Sequence, residues 1–542
     1  MKRTITKLNR FSILSSETIN IPDISLYTVL EQAVSRWPNN KAISYYGKQW
    51  TYTELKEQVD TFASGLQQIG IQKGDRVALM LPNCPEYIVA YYGILAVGGI
   101  VVQINPMYTE RELAYMIADS GAATIIAANS VSTVINSIKY ETNLKHTILV
   151  NMEESNYESF IVEQSYETFM KKATGHFTPA FLNPYEDVAI IQYTGGTTGR
   201  SKGAMLTHRN LVSSIVQNDE VLKSSLHPGT ERILTVIPLF HVYGMTLCMN
   251  SGIFRGACLI LLPRFKKEEV LDVIKNEKPT YFPGVPTMYI ALNSHPGVEK
   301  YGINSIKVCH SGGASMPLEL IQEFEQKIGT KIIEAYGLSE SSPGAIGQTL
   351  TGLRKQGSVG IPLPATEAKI VDLTNPEKVV PRGESGELVI KGPQVMKGYW
   401  NMPDETKETL NDGWLFTGDI ATMDKDGHVF IVDRKKDLII ASGYNVYPRE
   451  VEEVLYEHPA VLEAVVFGVP DDYRGETVKA VVVLKKDCQI TEEELSQFCR
   501  KSLSVYKAPK LFEIRSEIPK SSVGKILRRT LREEQLKLTL SY

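Results

Sequence analysis

Apolar positions recur along this chain at two different spacings. In TYTELKEQVDTFASGLQQIG the residues Leu55, Val59, Phe62 and Leu66 return every three or four positions, which puts them on one face of a helix. RVALMLPN follows as a continuous apolar run closed by a turn, the pattern of a buried strand. The most apolar stretch, Ile88 to Ile104, is interrupted by three glycines and is shorter than a membrane span requires, so it predicts a buried helix, a turn and a strand. This alternation of amphipathic helix and β-branched run continues through the first four hundred residues and predicts an α/β fold with layered sheets.

Near residue 380 the texture changes. PRGESGELVIKGPQVMKGYW and GHVFIVDRKKDLII read as short strands separated by Gly, Pro and Asp turns, a β-rich subdomain. From about Asp437 a compact α+β unit follows, with helices at PREVEEVLYEHP and TEEELSQFCRKSL and strands at VLEAVVFGVP and VKAVVVLKK. A chain of 542 residues exceeds what one core usually organises, so two bodies are expected, a large domain over 1–435 and a small lid domain over 436–542. The junction VDRKKDLII is short and charged, a tight hinge rather than a floppy tether.

Composition narrows the partners. An apolar share of 43% and a charged share of 22% are those of an ordinary globular chain. Lys and Arg number 58 against 62 Asp and Glu, a net charge of −4, and so small balance provides no field for nucleic acid. Six cysteines at 84, 248, 258, 309, 488 and 499 show no zinc-ligand or redox spacing and fit reduced structural thiols of a cytoplasmic protein. The basic N-terminus lacks the apolar run of a secretory signal. The amphipathic tail GKILRRTLREEQLKLTL reads as a surface helix, with peripheral contact at a membrane left open, as is the choice between monomer and homodimer.

The strongest chemical signal is YTGGTTGRSKG, Tyr193 to Gly203, after the apolar strand VAIIQ. Gly195, Gly196 and Gly199 let backbone N–H groups approach phosphate oxygens, Thr194, Thr197 and Thr198 add hydroxyls, and Lys202 adds positive charge before a short strand AML. No GxxxxGK[ST] register runs through it, so P-loop chemistry is not supported. Taken alone, the loop could be a polar turn. PLFHVYG presents His241 among Phe240, Val242 and Tyr243, before a glycine turn that reads as mobile; such a histidine is by itself an ordinary core residue. HSGGASMP and EAYGLSESSP are two further small-residue loops after β-like runs, and Glu340 in the second is an oxygen ligand suited to a hard cation. In GWLFTGDI and VDRKKD, Asp419 and Arg434 could together clamp a ribose, although each segment alone would be an ordinary turn. PKSSVGKILRR carries Lys525 after a glycine turn in what would otherwise be a solvated basic tail.

Together these segments resemble the adenylate-forming superfamily, which holds acyl-CoA ligases, peptide-synthetase adenylation domains and luciferases, and the resemblance spans nearly the whole chain. Gly195 stands where Ser is usual and Ser201 where Pro is usual. The resemblance implies that ATP is bound by the Thr194–Lys202 loop, by Gly313 and Ala314 near adenine, by Tyr336 stacking on it, by Gly337, by the Ser339 hydroxyl, and by Asp419 and Arg434 on the ribose. It implies Mg²⁺ at Glu340 and Thr194, an acid site touched by His241 in a positioning role, and a catalytic Lys525 inserted from the small domain. Phe240, Val242, Tyr243, Gly284 and Val285 are candidate acyl-lining residues, Lys436 the hinge, and Gly443 part of a thiol channel for CoA.

The implied activity is ATP-dependent activation of a carboxylic acid through an acyl-adenylate, followed by transfer to CoA. NPMYTERELAYMIADSGA and YFPGVPTMYIALNSHPGVEKYGINSIK look like bacterial long-chain fatty acyl-CoA ligases. A medium-chain or aryl-acid ligase would keep every nucleotide residue and change the pocket, an acyl-AMP ligase would load a carrier protein and ignore CoA, and a non-catalytic sensor need not keep Lys525. Replacement Lys525→Ala is expected to slow adenylation by at least about a hundredfold, because the step joins two anions and depends on cations placed at the developing charge. Acyl-AMP formation at the wild-type rate in single-turnover assays would refute that role.

Overall fold

The computed structural model describes residues 13–14, 19–152, 164–194, 201–314, 316–441, 444–471, 474–486, 488–521, 524 and 526–540. Two large sheets form the first body. One has eight strands in the order Gly398–Tyr399, Lys202–Thr207, Val188–Thr194, Ile100–Gln103, Arg76–Met80, Thr124–Ala128, His146–Val150 and Gln164–Ser165. The other has nine, with Ile332–Gly337, Val308–Ser311, Tyr281–Gly284, Arg232–Thr235 and Cys258–Leu261 running parallel at its centre.

The predicted helix is Tyr52–Gln68, opened by a capping box in which the Thr51 side chain accepts from the Glu54 amide and Glu54 reaches back to the Thr51 amide. Leu55, Val59, Phe62 and Leu66 are all buried. Phe62 packs against Phe169 and Tyr166 at centroid distances of 5.0 and 5.7 Å. Burial of each such side chain stabilises by about 1.5–3 kcal/mol. The glycine-broken stretch is helix Pro85–Ala96, a turn and strand Ile100–Gln103, with Tyr87, Tyr91 and Tyr92 fully buried. This helix packs on Leu26–Arg36 and Tyr52–Gln68. One continuous apolar cluster joins these helices to strands of both sheets, through Val77 and Ile190 of one and Ile233 and Leu259 of the other. Among the described residues no helix is long and apolar enough to cross a membrane.

The β-rich texture corresponds to a mostly antiparallel sheet of Glu367–Val371, Gly386–Lys391, Trp414–Met423, Leu410–Asn411 and Val429–Arg434, joined by the short strand Ile13–Leu14. It begins before residue 380, with the strand Glu367–Val371, whose alternation is too brief to read as a strand from sequence. A fourth sheet contains Ile439–Ala441, Tyr444–Val446, Val461–Asp471, Gly475–Leu484 and Leu511–Arg515. It is covered by helices Pro448–Tyr456, Glu492–Ser502 and Arg528–Leu540. Two apolar clusters are built from residues 439 to 531 alone. Leu531 of the C-terminal helix is buried in one of them, so that helix packs on its own lobe. All six cysteines are free thiols, five of them buried.

Candidate active site

Chain direction determines where the loops go. Arg232–Thr235, Tyr281–Gly284, Val308–Ser311 and Ile332–Gly337 are parallel neighbours, so the segments after them leave one edge of the sheet, where α/β folds hold ligands. They carry His241, Val285, Gly313 with Ala314, and Ser339 with Glu340 respectively.

The His241 segment is held from the other sheet. Asn83, fully buried in the turn after Arg76–Met80, directs its amide N–H groups at the carbonyls of Thr235, Ile237 and Leu262 at 3.0–3.2 Å. Its oxygen accepts the Leu239 amide at 2.7 Å. The Tyr87 hydroxyl donates to the Leu239 carbonyl at 2.8 Å, and Gln192 Nε2 to the Phe240 carbonyl at 3.2 Å. His241 Nδ1 accepts the Tyr243 amide at 3.2 Å. Asn83 escaped the sequence reading, since an Asn in a strand-ending turn is ordinary turn chemistry and nothing local reveals four distant partners.

The glycine after Tyr243 does not form a mobile turn. Gly244 opens a buried helical segment, Gly244–Asn250, and a Cβ there would lie 2.4 Å from the Pro238 carbonyl oxygen, so close backbone contact requires the glycine. Of the acyl candidates, Val242, Tyr243, Gly284 and Val285 are buried and Phe240 is partly exposed. The Tyr243 hydroxyl lies 2.8 Å from the His310 carbonyl and 3.2 Å from that of Gly284. The Gly312 amide donates to the Gly284 carbonyl at 3.3 Å, and a Cβ on Gly313 would meet Val285 at 3.8 Å. Acyl and adenine candidates are therefore neighbours, and Gly313 and Ala314 are exposed.

The nucleotide candidates fall into two groups. In the antiparallel pair of Trp414–Met423 and Val429–Arg434, Asp419 stands opposite Arg434. Arg434 Nε lies 3.1 Å from Asp419 Oδ1, and the Tyr336 hydroxyl donates to Asp419 Oδ2 at 2.5 Å. Burial and the Asp419 charge push the Tyr336 phenol well up, so it remains a donor. Burial, the largest single influence, pulls the Arg434 guanidinium down, but the charges of Asp419, Tyr336, Asp437 and Glu340 together outweigh it and the net shift is upward. The Tyr336–Asp419 contact was not anticipated, because the residues lie in different sheets.

In the second group Lys202 is the first residue of a strand, Lys202–Thr207, paired opposite Thr194, rather than part of a loop ahead of a shorter strand. The turn Ser339–Ser341 packs on that strand. Lys202 Nζ lies 5.1 Å from the centroid of the Tyr399 ring, whose hydroxyl donates to Glu340 Oε1 at 2.7 Å. The charge of Glu340 also acts on Arg434, which links the two groups. The Glu340 carboxylate with one oxygen anchored, and the hydroxyl of the partly buried Thr194 opposite Lys202, are oxygen donors of the kind that fits Mg²⁺ carried in on phosphates. Gly195, Gly196, Thr197, Thr198, Gly199, Gly443 and Lys525 lie outside the described residues.

The C-terminal lobe rests against this edge. A Cβ on Gly524 would lie 2.5 Å from Thr287 Oγ1 and 3.3 Å from Val285 Cγ2, so the turn preceding Lys525 sits at the acyl candidates. Across the linker, the Arg449 amide donates to Asp433 at 2.9 Å and Arg449 Nη1 to the Ile431 carbonyl at 2.7 Å. Arg528 pairs with Asp437 at 3.0 Å and Glu452 at 2.7 Å. Lys436 is exposed in a turn whose neighbours are tied, Lys435 N to the Gly418 carbonyl and Asp437 N to that of Arg434.

Comparison with known proteins agrees with this geometry. Residues 30–400 match the family described as AMP-binding enzyme, and residues 450–525 match the AMP-binding enzyme C-terminal domain. The chain belongs to the AMP-binding enzyme family. It is 46% identical over 538 residues to a long-chain-fatty-acid–CoA ligase of Bacillus subtilis (strain 168), covering 95% of each chain. ATP-bound MatB from Rhodopseudomonas palustris superposes with a TM-score of 0.86 at 30% identity, over 95% of this chain and 100% of that one. The anthranilate CoA ligase AuaEII in complex with anthranoyl-AMP superposes with a TM-score of 0.87 at 25% identity, over 97% and 99%.

Among the site glycines of this AMP-binding enzyme, Gly337 has a steric reason of its own. A Cβ there would come 1.6 Å from the Pro343 carbonyl oxygen, a backbone atom that cannot turn aside. Gly337→Ala is expected to lower the melting temperature by about 1–3 °C, from roughly 1–3 kcal/mol of overpacking in a body of this size. It should also weaken ATP binding in calorimetry, since Tyr336 and Ser339 flank the displaced residue. An unchanged melt with unchanged affinity would contradict this.

Proposed function

We propose that this chain is an ATP-dependent long-chain fatty acid–CoA ligase. The observation that carries the reading is the convergence, at one sheet edge, of the Tyr336–Asp419–Arg434 group, the Lys202–Tyr399–Glu340 group and the turn leading to Lys525. The family supports ATP as a substrate, and the names of close relatives support CoA and a long-chain acid.

In the first half-reaction a carboxylate oxygen attacks the α-phosphorus, the bond to the β-phosphate oxygen breaks, and pyrophosphate leaves. The acid is already ionised at neutral pH, so no base is needed. The chain's task is alignment and charge compensation. Asp419 and Arg434 hold the ribose, Tyr336 stacks on adenine, and Gly313, Ala314, Gly337 and Ser339 shape the space around the nucleotide. Lys202 and the loop Thr194–Gly199 meet the phosphates, while Lys525 bridges carboxylate and α-phosphate. Glu340 and Thr194 would hold Mg²⁺ with the ATP phosphates, where the ion offsets their charge. His241 positions the carboxylate, with Phe240, Val242, Tyr243, Gly284 and Val285 against the acyl chain.

In the second half-reaction the CoA thiol gives up its proton to solvent, its sulfur attacks the acyl-adenylate carbonyl, and AMP leaves with the electron pair of the broken bond. We take the bodies as 1–435 and 436–542, turning at Lys436 so that Lys525 withdraws and Gly443 faces a thiol channel. The orientation with Gly524 beside Val285 suits adenylation. The C-terminal helix packs on its own lobe through the buried Leu531.

Lys436→Pro fixes φ near −65° at this turn and is expected to impair thioester formation far more than acyl-AMP formation. Equal loss of both half-reactions would speak against the hinge. For the substrate, pyrophosphate release and CoA consumption are measured across straight-chain acids. Each buried methylene contributes about 0.8 kcal/mol, so four more improve affinity by roughly a few hundredfold if the tunnel admits them. Turnover confined to short or aryl acids, or pyrophosphate release without CoA consumption, would overturn the assignment.

A further inference from the structure

Glu340 and Lys202 carry opposite charges on adjoining elements, yet each has to stay available for the nucleotide. Between them stands Tyr399, a buried side chain that no motif singled out. Its phenol donates to Glu340 Oε1 at 2.7 Å, and its ring faces Lys202 Nζ at 5.1 Å.

The backbone around Tyr399 is tied to both partners' elements. Tyr399 stands opposite Ala204 in a short antiparallel pair with the strand that begins at Lys202. On one side the Met396 amide donates to the Glu340 carbonyl at 2.8 Å. On the other the Trp400 amide donates to the Gly203 carbonyl at 2.7 Å. The Tyr399 amide itself donates to Thr406 Oγ1 at 2.9 Å. A phenol held this firmly can fix the glutamate rotamer in advance, so that its side-chain entropy is not lost on binding.

We propose that Tyr399 is a positioning residue that keeps Glu340 and Lys202 from neutralising each other, so that the carboxylate presents to the metal and the ammonium to phosphate. The hydrogen bond occupies one carboxylate oxygen and aims the other. The ring holds the ammonium by its quadrupole, a weak attraction that a phosphate displaces easily. A direct Lys202–Glu340 ion pair would have to be broken each time ATP arrives.

This role rests on the ATP site proposed above, and binding measurements without any acid separate the two. Calorimetry of ATP with Mg²⁺ and with EDTA is run on wild type, Tyr399→Phe, Glu340→Gln and the double variant, with thermal melts to check folding. Tyr399→Phe keeps the ring and loses the hydroxyl; it is expected to bind Mg²⁺·ATP about tenfold more weakly while binding metal-free ATP as wild type does. In the Glu340→Gln background the same change should have no further effect on Mg²⁺·ATP, because the carboxylate it positions is gone. Tyr399→Leu should weaken binding in both conditions, since Lys202 is then free to pair with Glu340. Unchanged Mg²⁺·ATP affinity in Tyr399→Phe, equal losses with and without metal, or full additivity with Glu340→Gln would each overturn the role. Wild type that binds no Mg²⁺·ATP would instead overturn the reading of the site, and with it the role of Tyr399.

Discussion

Parallel alignment at the centre of the nine-stranded sheet is the constraint on which the rest of the site depends. Since Arg232–Thr235, Tyr281–Gly284, Val308–Ser311 and Ile332–Gly337 run the same way, four loops distant in sequence have to emerge side by side. Parallel strands need crossover connections, and the helices that provide them, such as Lys267–Glu277 and Leu318–Ile328, carry the intervening chain away from the functional edge. That edge is then free for glycine-rich turns, and it is built on rigid elements. Asn83 and Gln192 extend the constraint to the second sheet by hydrogen-bonding backbone of the His241 segment, so two separate sheets act as one platform.

Charge on that platform is arranged in bounded pairs. Asp419 is nearly buried, and a buried carboxylate is costly unless it is compensated. Arg434 and the Tyr336 hydroxyl satisfy both its oxygens, and they come from a strand partner and from another sheet. The aspartate therefore ties two sheets together as well as presenting a polar face. At the lobe interface Arg449 and Arg528 gather Asp433, Asp437 and Glu452 around the linker. Burial raises the Asp433 carboxyl to about 6 even with Arg528 beside it, so the cluster is one of mutual compensation rather than one strong bridge.

Much of this organisation was legible in the chain. The stripe Leu55–Leu66, the glycine-broken helix and strand after Pro85, and the change of texture past residue 380 are periodic or compositional signals, and they survive folding because burial follows period. The loop around Thr194, the pair Asp419 and Arg434, and Glu340 could be named because several short motifs together resemble one family, although each alone would be an ordinary turn. Where the reading went astray, distance was the cause. Gly244 looked like a mobile turn, and only its approach to Pro238 shows it to be a packing glycine. Lys202 looked like a loop residue, and its pairing with Thr194 across the hairpin makes it a strand residue.

What the sequence determined by itself was therefore the set of elements, which follows from local patterns of size, period and charge, and the family, which follows from the resemblance of its short motifs. Tertiary structure alone decided which residues meet. Asn83 on the His241 segment, Tyr336 on Asp419, and Tyr399 between Lys202 and Glu340 are contacts between segments 59 to more than 150 residues apart. No spacing rule encodes such contacts, because they follow from how sheets stack and which way their strands run.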